Sequence, residues 1–364
     1  MESKRLRSID ALRGFDMFFI MGFSSLVVAI CKLFPDGGSC FLAQQMGHTS
    51  WDGLTHHDII FPLFLFISGM TFPFSLAKSR EKGLSRRQIF LKTLSRGLIL
   101  IGLGIVYNGF FQFQFDTMRF YSVLGRIGLA WMLAAWLYMC CGKKTRIILA
   151  AAILVGYNLL LLIPAPDAAG ASSLSMEGNI VGYIDRLLMP GHLLNKKVGF
   201  DPEGLLSTLP AIVTAMLGQF TGEFVKESPA QRKTLWMLVG AVALVAIGLV
   251  WSTWLPVNKK LWTSSFTLVV GGISLAHFAL FYWLIDVKGW NKWAFFFEVI
   301  GLNSITIYLL QKIVPFAEIN RFFLGGLAGL CPEPVGKVVF AVGYIFWSWL
   351  LLWFLYKKKV FLKV

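Results

Sequence analysis

Apolar runs of about 18 to 22 residues recur along the whole chain, and that length matches the hydrocarbon layer of a bilayer at 1.5 Å per helical residue. The runs fall near 14–34, 59–77, 94–111, 121–141, 147–164, 205–225, 234–254, 263–285, 294–315 and 335–356. The pattern predicts an all-α, polytopic membrane protein: a single transmembrane domain over 1–364, built as a bundle of about ten transmembrane helices. Three longer polar stretches, about 35–58, 165–204 and 316–334, are where function is expected, because long loops in a compact membrane protein tend to carry it. The first run follows Lys4, Arg5 and Arg7 and so imitates a secretory signal. It is too long for one, contains Asp16 and lacks a small-x-small cleavage site, which predicts a retained first helix. Paired helix breaks in two halves, the mark of many inverted-repeat transporters, are not found among the runs.

Composition agrees with the pattern. The 364 residues are 56% hydrophobic and 15% charged, against about 25% charged in soluble domains. The 33 Phe and 13 Trp lie largely near run ends, as an aromatic belt at the headgroups requires. A net charge of +15 would suit a nucleic-acid partner if it formed a patch. It does not; the basic residues are distributed over short loops, which excludes that class.

Their distribution sets orientation instead. With the N-terminus inside, the cytoplasmic segments hold Lys4, Arg5, Arg7 and Arg13; Lys78, Arg80, Lys82, Arg86, Arg87, Lys92 and Arg96; and Lys143, Lys144 and Arg146. They also hold Lys226, Arg232, Lys233, Lys288, Lys292, Lys357, Lys358, Lys359 and Lys363. An even number of crossings then puts both termini in the cytoplasm and the three longer stretches outside. Five cysteines without C-x-x-C spacing make no metal or redox motif. Cys31 and Cys40 share one side of the membrane, as a bridge or, the plainer expectation, as thiols.

The densest chemistry is Gly47-His48-Thr49-Ser50-Trp51-Asp52-Gly53-Leu54-Thr55-His56-His57-Asp58, which holds three of the five histidines of the chain. It lies just outside the second run, where polar groups gather at the mouth of a cavity. Histidine moves protons near neutral pH, and Asp58 or Asp52 would orient an imidazole through its second nitrogen. A solvated loop without chemistry is the plain alternative, and a metal site of His48, His56, His57 and Asp58 has no supporting spacing. Asp16 and Arg126 are charges inside apolar runs, expected either to pair with another helix or to face a ligand channel. Asp201-Pro202-Glu203-Gly204 opens the sixth run and suits a helix N-terminus. Asn303, Ser304, Tyr308 and Gln311 lie on roughly one face of the ninth run.

At these residues the chain resembles the membrane-embedded region of the heparan-α-glucosaminide N-acetyltransferase family. The resemblance begins with Arg7-Ser8-Ile9-Asp10-Ala11-Leu12-Arg13-Gly14, His48-Thr49-Ser50-Trp51-Asp52-Gly53-Leu54-Thr55 and Asp58-Ile59-Ile60-Phe61-Pro62. It continues through Leu124-Gly125-Arg126-Ile127-Gly128, Asp201-Pro202-Glu203-Gly204-Leu205-Leu206 and Pro256-Val257-Asn258-Lys259-Lys260-Leu261-Trp262. It closes with Asp286-Val287-Lys288-Gly289, Leu302-Asn303-Ser304 and Tyr356-Lys357-Lys358-Lys359. Ser24 stands where the family's first helix carries an asparagine, and Gln311 where its ninth helix carries a histidine.

The resemblance implies a transmembrane acetyltransferase of a bacterial inner membrane. It would move acetyl from cytoplasmic acetyl-CoA to an amino-sugar or glycan acceptor outside, without a metal. The family's catalytic histidine falls at His48, which the charge pattern independently sets on the outer side. Asp58 is expected to orient it and Asn303 to serve as oxyanion donor. Arg126 or loop lysines are expected on the phosphates of CoA, and Asp16, Ser24 and Gln311 along its channel. Trp51, Asp52, His57, Asp201 and Glu203 are expected at the acceptor. The bilayer is the obligate partner and a homodimer is left open. The alternative is an amino-sugar transporter that uses the same cavity without acyl transfer.

Overall fold

A computed structural model describes residues 6–35, 40–168, 170–227 and 232–362. Lys4, Arg5 and Lys363 of the charge pattern, and positions 36–39 of the first outer stretch, lie outside the described residues. Every predicted run is helical, and the described residues contain no β-strand beyond isolated bridges. The helices are α1 (Arg7–Phe18), α2 (Ser24–Cys31), α3 (Phe41–Gln45), α4 (His56–Glu81), α5 (Arg86–Tyr107), α6 (Val123–Cys140), α7 (Lys143–Leu161) and α8 (Ile180–Leu188). There follow α9 (Thr208–Glu227), α10 (Lys233–Trp251), α11 (Ser264–Phe281), α12 (Ala294–Leu302), α13 (Ser304–Ile313), α14 (Phe316–Leu330) and α15 (Glu333–Lys357).

Among the described residues, eight helices are long and apolar enough to cross a membrane, or nine if the bent pair α12–α13 is one span. The apolar runs predict about ten; the helix outside the set is α9. It has the length, but Thr208, Thr214, Gln219, Thr221 and Glu223 are buried polar side chains along it. A helix enclosed by protein can carry such residues where a lipid-facing one cannot. The stretch at 316–334, read as a loop, is mostly the helix α14. Its 15 residues are too short to span, and Phe322, Phe323 and Leu330 are exposed along it.

The described chain forms two compact units. The first comprises the chain as far as Thr49, Leu54–Ile60 and the part from His277 onwards. Its centre is the crossing of α1 and α12, where Gly14 faces the Phe297 carbonyl and Gly301 the Asp10 carbonyl, each leaving no room for a Cβ. Small residues let helix backbones approach and gain dispersion contacts that lipid does not supply. Met17, Met21, Val299, Ile300, Ile307, Phe316 and Leu352 fill the core beside it. The first run is interrupted by a π-helical turn at Phe19–Phe23 with Gly22 at φ +129°, a conformation that glycine adopts without a Cβ penalty. The α12–α13 pair bends by 68° at Asn303.

The second unit comprises Ser50–Gly53 and Phe61–Ala276. Here α4 meets α9 through Gly69 against the Ala215 carbonyl and Gly218 against the Phe66 carbonyl. Pro62 and Pro73 lie within α4, as membrane helices allow when neighbours satisfy the released carbonyls. Trp262 is fully buried and packs edge-on against Phe61 and Phe266, at 5.0 and 5.3 Å between ring centroids. Arg146, counted above as an orienting charge, is instead buried and paired with Glu223 at 2.6 Å.

Candidate active site

Gly47, His48, Thr49, Thr55 and the first turn of α4 form one hydrogen-bonded knot in the first unit. Asp58 lies in that first turn, where a carboxylate is favoured by the helix dipole. Its side chain is 1% exposed while that of His48 is 54% exposed, and Asp58 Oδ1 lies 2.7 Å from His48 Nδ1. The other oxygen, Oδ2, accepts the Thr49 N–H at 3.2 Å, the Thr55 N–H at 3.3 Å and the Thr49 hydroxyl at 3.1 Å. The Thr55 hydroxyl stands 3.0 Å from the same oxygen and 2.6 Å from the Gly47 carbonyl. A carboxylate surrounded by donors in this way is held in one orientation and acts as an acceptor. It therefore takes the Nδ1 proton of His48 as a hydrogen-bond donor and leaves the lone pair on Nε2, the tautomer a general base needs.

The neighbouring histidines divide by environment. His57 Nδ1 is 3.3 Å from the Ser24 hydroxyl, and its ring stands edge-on to that of His48 with 4.6 Å between centroids. His56 turns its ring to Phe19 at 4.3 Å, and its N–H donates to Gln45 Oε1 at 2.9 Å. Ser24, the departure from the family pattern, thus supports the histidine next to His48.

Three further residues proposed from the sequence are also in this unit. Asp16 is buried, and its Oδ2 has no hydrogen-bond partner among the described residues. Asn303 lies at the α12–α13 bend; its Oδ1 is 3.3 Å from the Thr306 hydroxyl, while its buried Nδ2 has no partner among the described residues. A buried donor left unsatisfied costs about 1–3 kcal/mol, which a bound acceptor atom would recover. Gln311 donates to the Ile20 carbonyl at 3.3 Å, which belongs to the π-helical turn.

The remaining expected site residues are in the second unit, each with partners there. Trp51 donates to the Leu174 carbonyl at 2.8 Å and packs on Phe200 at 5.4 Å. Asp52 accepts from Asn258 Nδ2 at 3.0 Å, so of the two carboxylates considered for His48, Asp58 is the partner. Asp201 is fully buried and receives Arg119 through two bonds, 2.7 and 2.5 Å, together with the Leu194 and Glu203 N–H groups, each at 2.9 Å. Glu203 completes the clamp on Arg119. Burial lowers the Arg119 guanidinium, but the two carboxylates more than offset that and hold it above its ordinary range. Arg126 donates to the Gly204 carbonyl at 3.1 Å and to the Ser207 hydroxyl, beneath the Trp262 ring.

Sequence reasoning missed Asp185. It is fully buried in α8, its Oδ1 accepts the Leu205 N–H at 3.1 Å, and Gly204 leaves no room for a Cβ beside its carboxylate. Burial pushes its carboxyl up to about 7, with Asp201 adding to the rise and the Leu205 N–H opposing it. No motif surrounds Asp185, and only the folding of 165–204 onto the head of α9 reveals it. Cys31 and Cys40 are free thiols.

Comparison with known proteins agrees with the resemblance. The chain is 27% identical to human heparan-alpha-glucosaminide N-acetyltransferase over a 418-residue alignment that takes in 99% of the chain and 60% of the relative. It is 26% identical to the enzyme of the same name from Mus musculus, over 100% of the chain and 61% of the relative. No family model matches. The chain spans about three fifths of the length of the curated relatives it matches. Two matches along nearly the whole chain make it a distant relative of heparan-alpha-glucosaminide N-acetyltransferase.

Proposed function

We propose that the chain is a transmembrane acetyltransferase. It takes acetyl from acetyl-CoA on the cytoplasmic side and delivers it to the amine of an amino sugar on the outer side. The observation that carries this reading is the His48–Asp58 pair, a buried carboxylate fixing an exposed imidazole at 2.7 Å. His48 Nε2 takes a proton from the acceptor amine as its nitrogen attacks the thioester carbonyl. The C–S bond then breaks, and His48 passes that proton to the departing thiolate. Asn303 Nδ2 suits the role of donor to the oxyanion. The orientation rests on the positive-inside distribution of Lys and Arg.

The test is transfer of radiolabelled acetyl from acetyl-CoA to glucosamine by purified protein. His48→Ala should lose roughly 10²- to 10⁴-fold in rate while still binding acetyl-CoA. Near wild-type transfer by that variant would sink the assignment, and sugar uptake into liposomes without acetyl-CoA would favour a transporter. Label retained on wild type after an acid quench, and absent from His48→Ala, would indicate an acetyl-imidazole intermediate. For orientation, an impermeant thiol reagent should label a cysteine at Gly170 in intact cells and not one at Lys144.

A further inference from the structure

The turn between α4 and α5 encloses a second site, wholly within the second unit. Glu81 ends α4, Gly83 reverses the chain at φ +73°, and Ser85 caps α5 by accepting the Gln88 N–H at 3.3 Å. This tight reversal brings Arg80, in the last turn of α4, beside Arg86, the first residue of α5. The two arginines line a pocket of about 180 Å³ with Leu76, Leu84, Ile89 and Met139. No carboxylate is among the lining residues. Arg86 donates from Nη2 to the Met139 carbonyl at 3.2 Å, which fixes the plane of its guanidinium. The Arg80 side chain has no hydrogen-bond or ion-pair partner among the described residues.

Two guanidinium groups on one small pocket present the planar donor forks that match phosphate oxygens. The first N–H groups of α5 add to the positive potential. The volume decides what part of a ligand enters. A pocket for a whole small molecule is about 300–1,000 Å³, so this one admits a phosphate group and not a nucleotide. Arg126, the sequence candidate for this role, is at the other end of α6. From Arg126 to Met139 is 13 residues of helix, roughly 20 Å at 1.5 Å per residue. Arg126 is moreover buried against Gly204, Ser207 and Trp262. The loop carrying Arg80 and Arg86 is the most basic in the chain and belongs to the side assigned to the cytoplasm, from which the donor comes.

We propose that the Arg80–Arg86 pocket binds a phosphate monoester, the 3′-phosphate of the acetyl-CoA donor. This rests on the acetyltransferase reading. An anionic phospholipid headgroup offers related phosphate chemistry, and the experiment separates the two. Protein in nanodiscs of neutral phosphatidylcholine is titrated calorimetrically with CoA and with dephospho-CoA, which lacks the 3′-phosphate. Arg80→Gln and Arg86→Gln should each weaken CoA binding roughly 10- to 100-fold and leave dephospho-CoA binding nearly unchanged. Arg→Lys at either position should restore part of the difference. Loss of both ligands together would indicate a folding defect, which the Arg→Lys pair and a thermal melt resolve.

Unchanged CoA affinity in the variants would overturn the assignment to the donor. Native mass spectrometry of co-purified phosphatidylglycerol then decides the chemistry. Its loss from the Arg→Gln variants would move the pocket to lipid headgroups, and its retention would remove the phosphate site altogether. Failure of wild type to bind either CoA form would refute the acetyltransferase reading itself, with the lipid measurement alone judging the pocket.

Discussion

Replacing Asp58 by Asn changes no volume and tests the tautomer argument directly. In the wild type, Oδ2 faces two backbone N–H groups, from Thr49 and Thr55, which cannot reverse their polarity. The single oxygen of Asn must turn to those donors, since pointing its NH₂ at them would leave up to three groups unsatisfied at about 1–3 kcal/mol each. The NH₂ then faces His48 Nδ1 across 2.7 Å. Nδ1 must become an acceptor, the imidazole proton moves to Nε2, and the lone pair needed by the base is lost. The expected result is a fall in turnover of roughly 10²- to 10⁴-fold, the worth of a general base. Acetyl-CoA affinity and thermal stability should stay close to wild type. The assay is steady-state acetyl transfer to glucosamine in detergent, with calorimetric binding of acetyl-CoA in parallel. Turnover within tenfold of wild type, in a variant that binds acetyl-CoA normally, would refute the claim that Asp58 sets the tautomer of His48.

Three other outcomes follow. His57→Ala removes one aromatic edge contact on His48, worth about 0.5–1.5 kcal/mol, so acetyl transfer should fall by less than roughly tenfold; a loss equal to that of His48→Ala would make His57 part of the chemistry. Arg119→Ala leaves the fully buried Asp201 without its cation and should cost about 3–5 kcal/mol, read as a lowered Tm in detergent, with Arg119→Lys recovering part of it. Asp185 binds its proton more tightly folded than unfolded, being held at about 7 instead of near 3.8. Its contribution to stability is therefore complete below pH 4 and lost as pH rises through 7, amounting to at most roughly 4 kcal/mol by pH 8. Asp185→Asn should remove that dependence, raising Tm at pH 8 relative to wild type; an identical pH profile for the two proteins would show that Asp185 is already ionised at pH 5.

The helices were legible because their signal is local. Bilayer thickness demands an apolar run of fixed length, and each of the ten runs meets a helix in the structure. The exceptions have physical causes. The buried polar residues of α9 are tolerable only inside protein, and α14 is amphipathic and too short to cross. The π-helical turn in the first run leaves no mark in the sequence, since a glycine inside an apolar run reads the same whether its φ is negative or positive.

The site was legible as a neighbourhood and not as a set of bonds. His48 stood out because three histidines crowd a twelve-residue segment. The choice of Asp58 over Asp52 depended on how the loop closes. Residues ten apart meet at 2.7 Å because Thr49 and Thr55 fold onto the same carboxylate, while Asp52 pairs with Asn258 some two hundred positions away. Arg126 read correctly as a buried cation, but its partners Gly204 and Ser207 come from the head of another helix. Asp185 carried no signal, because a lone aspartate in a polar loop looks solvated until the loop packs over it. The apolar runs determined that this chain is a helical membrane protein, since that signal acts along the chain itself. Which carboxylate holds the histidine, which arginine is buried and which lines a pocket were decided by tertiary closure, where groups distant in sequence must satisfy one another away from water.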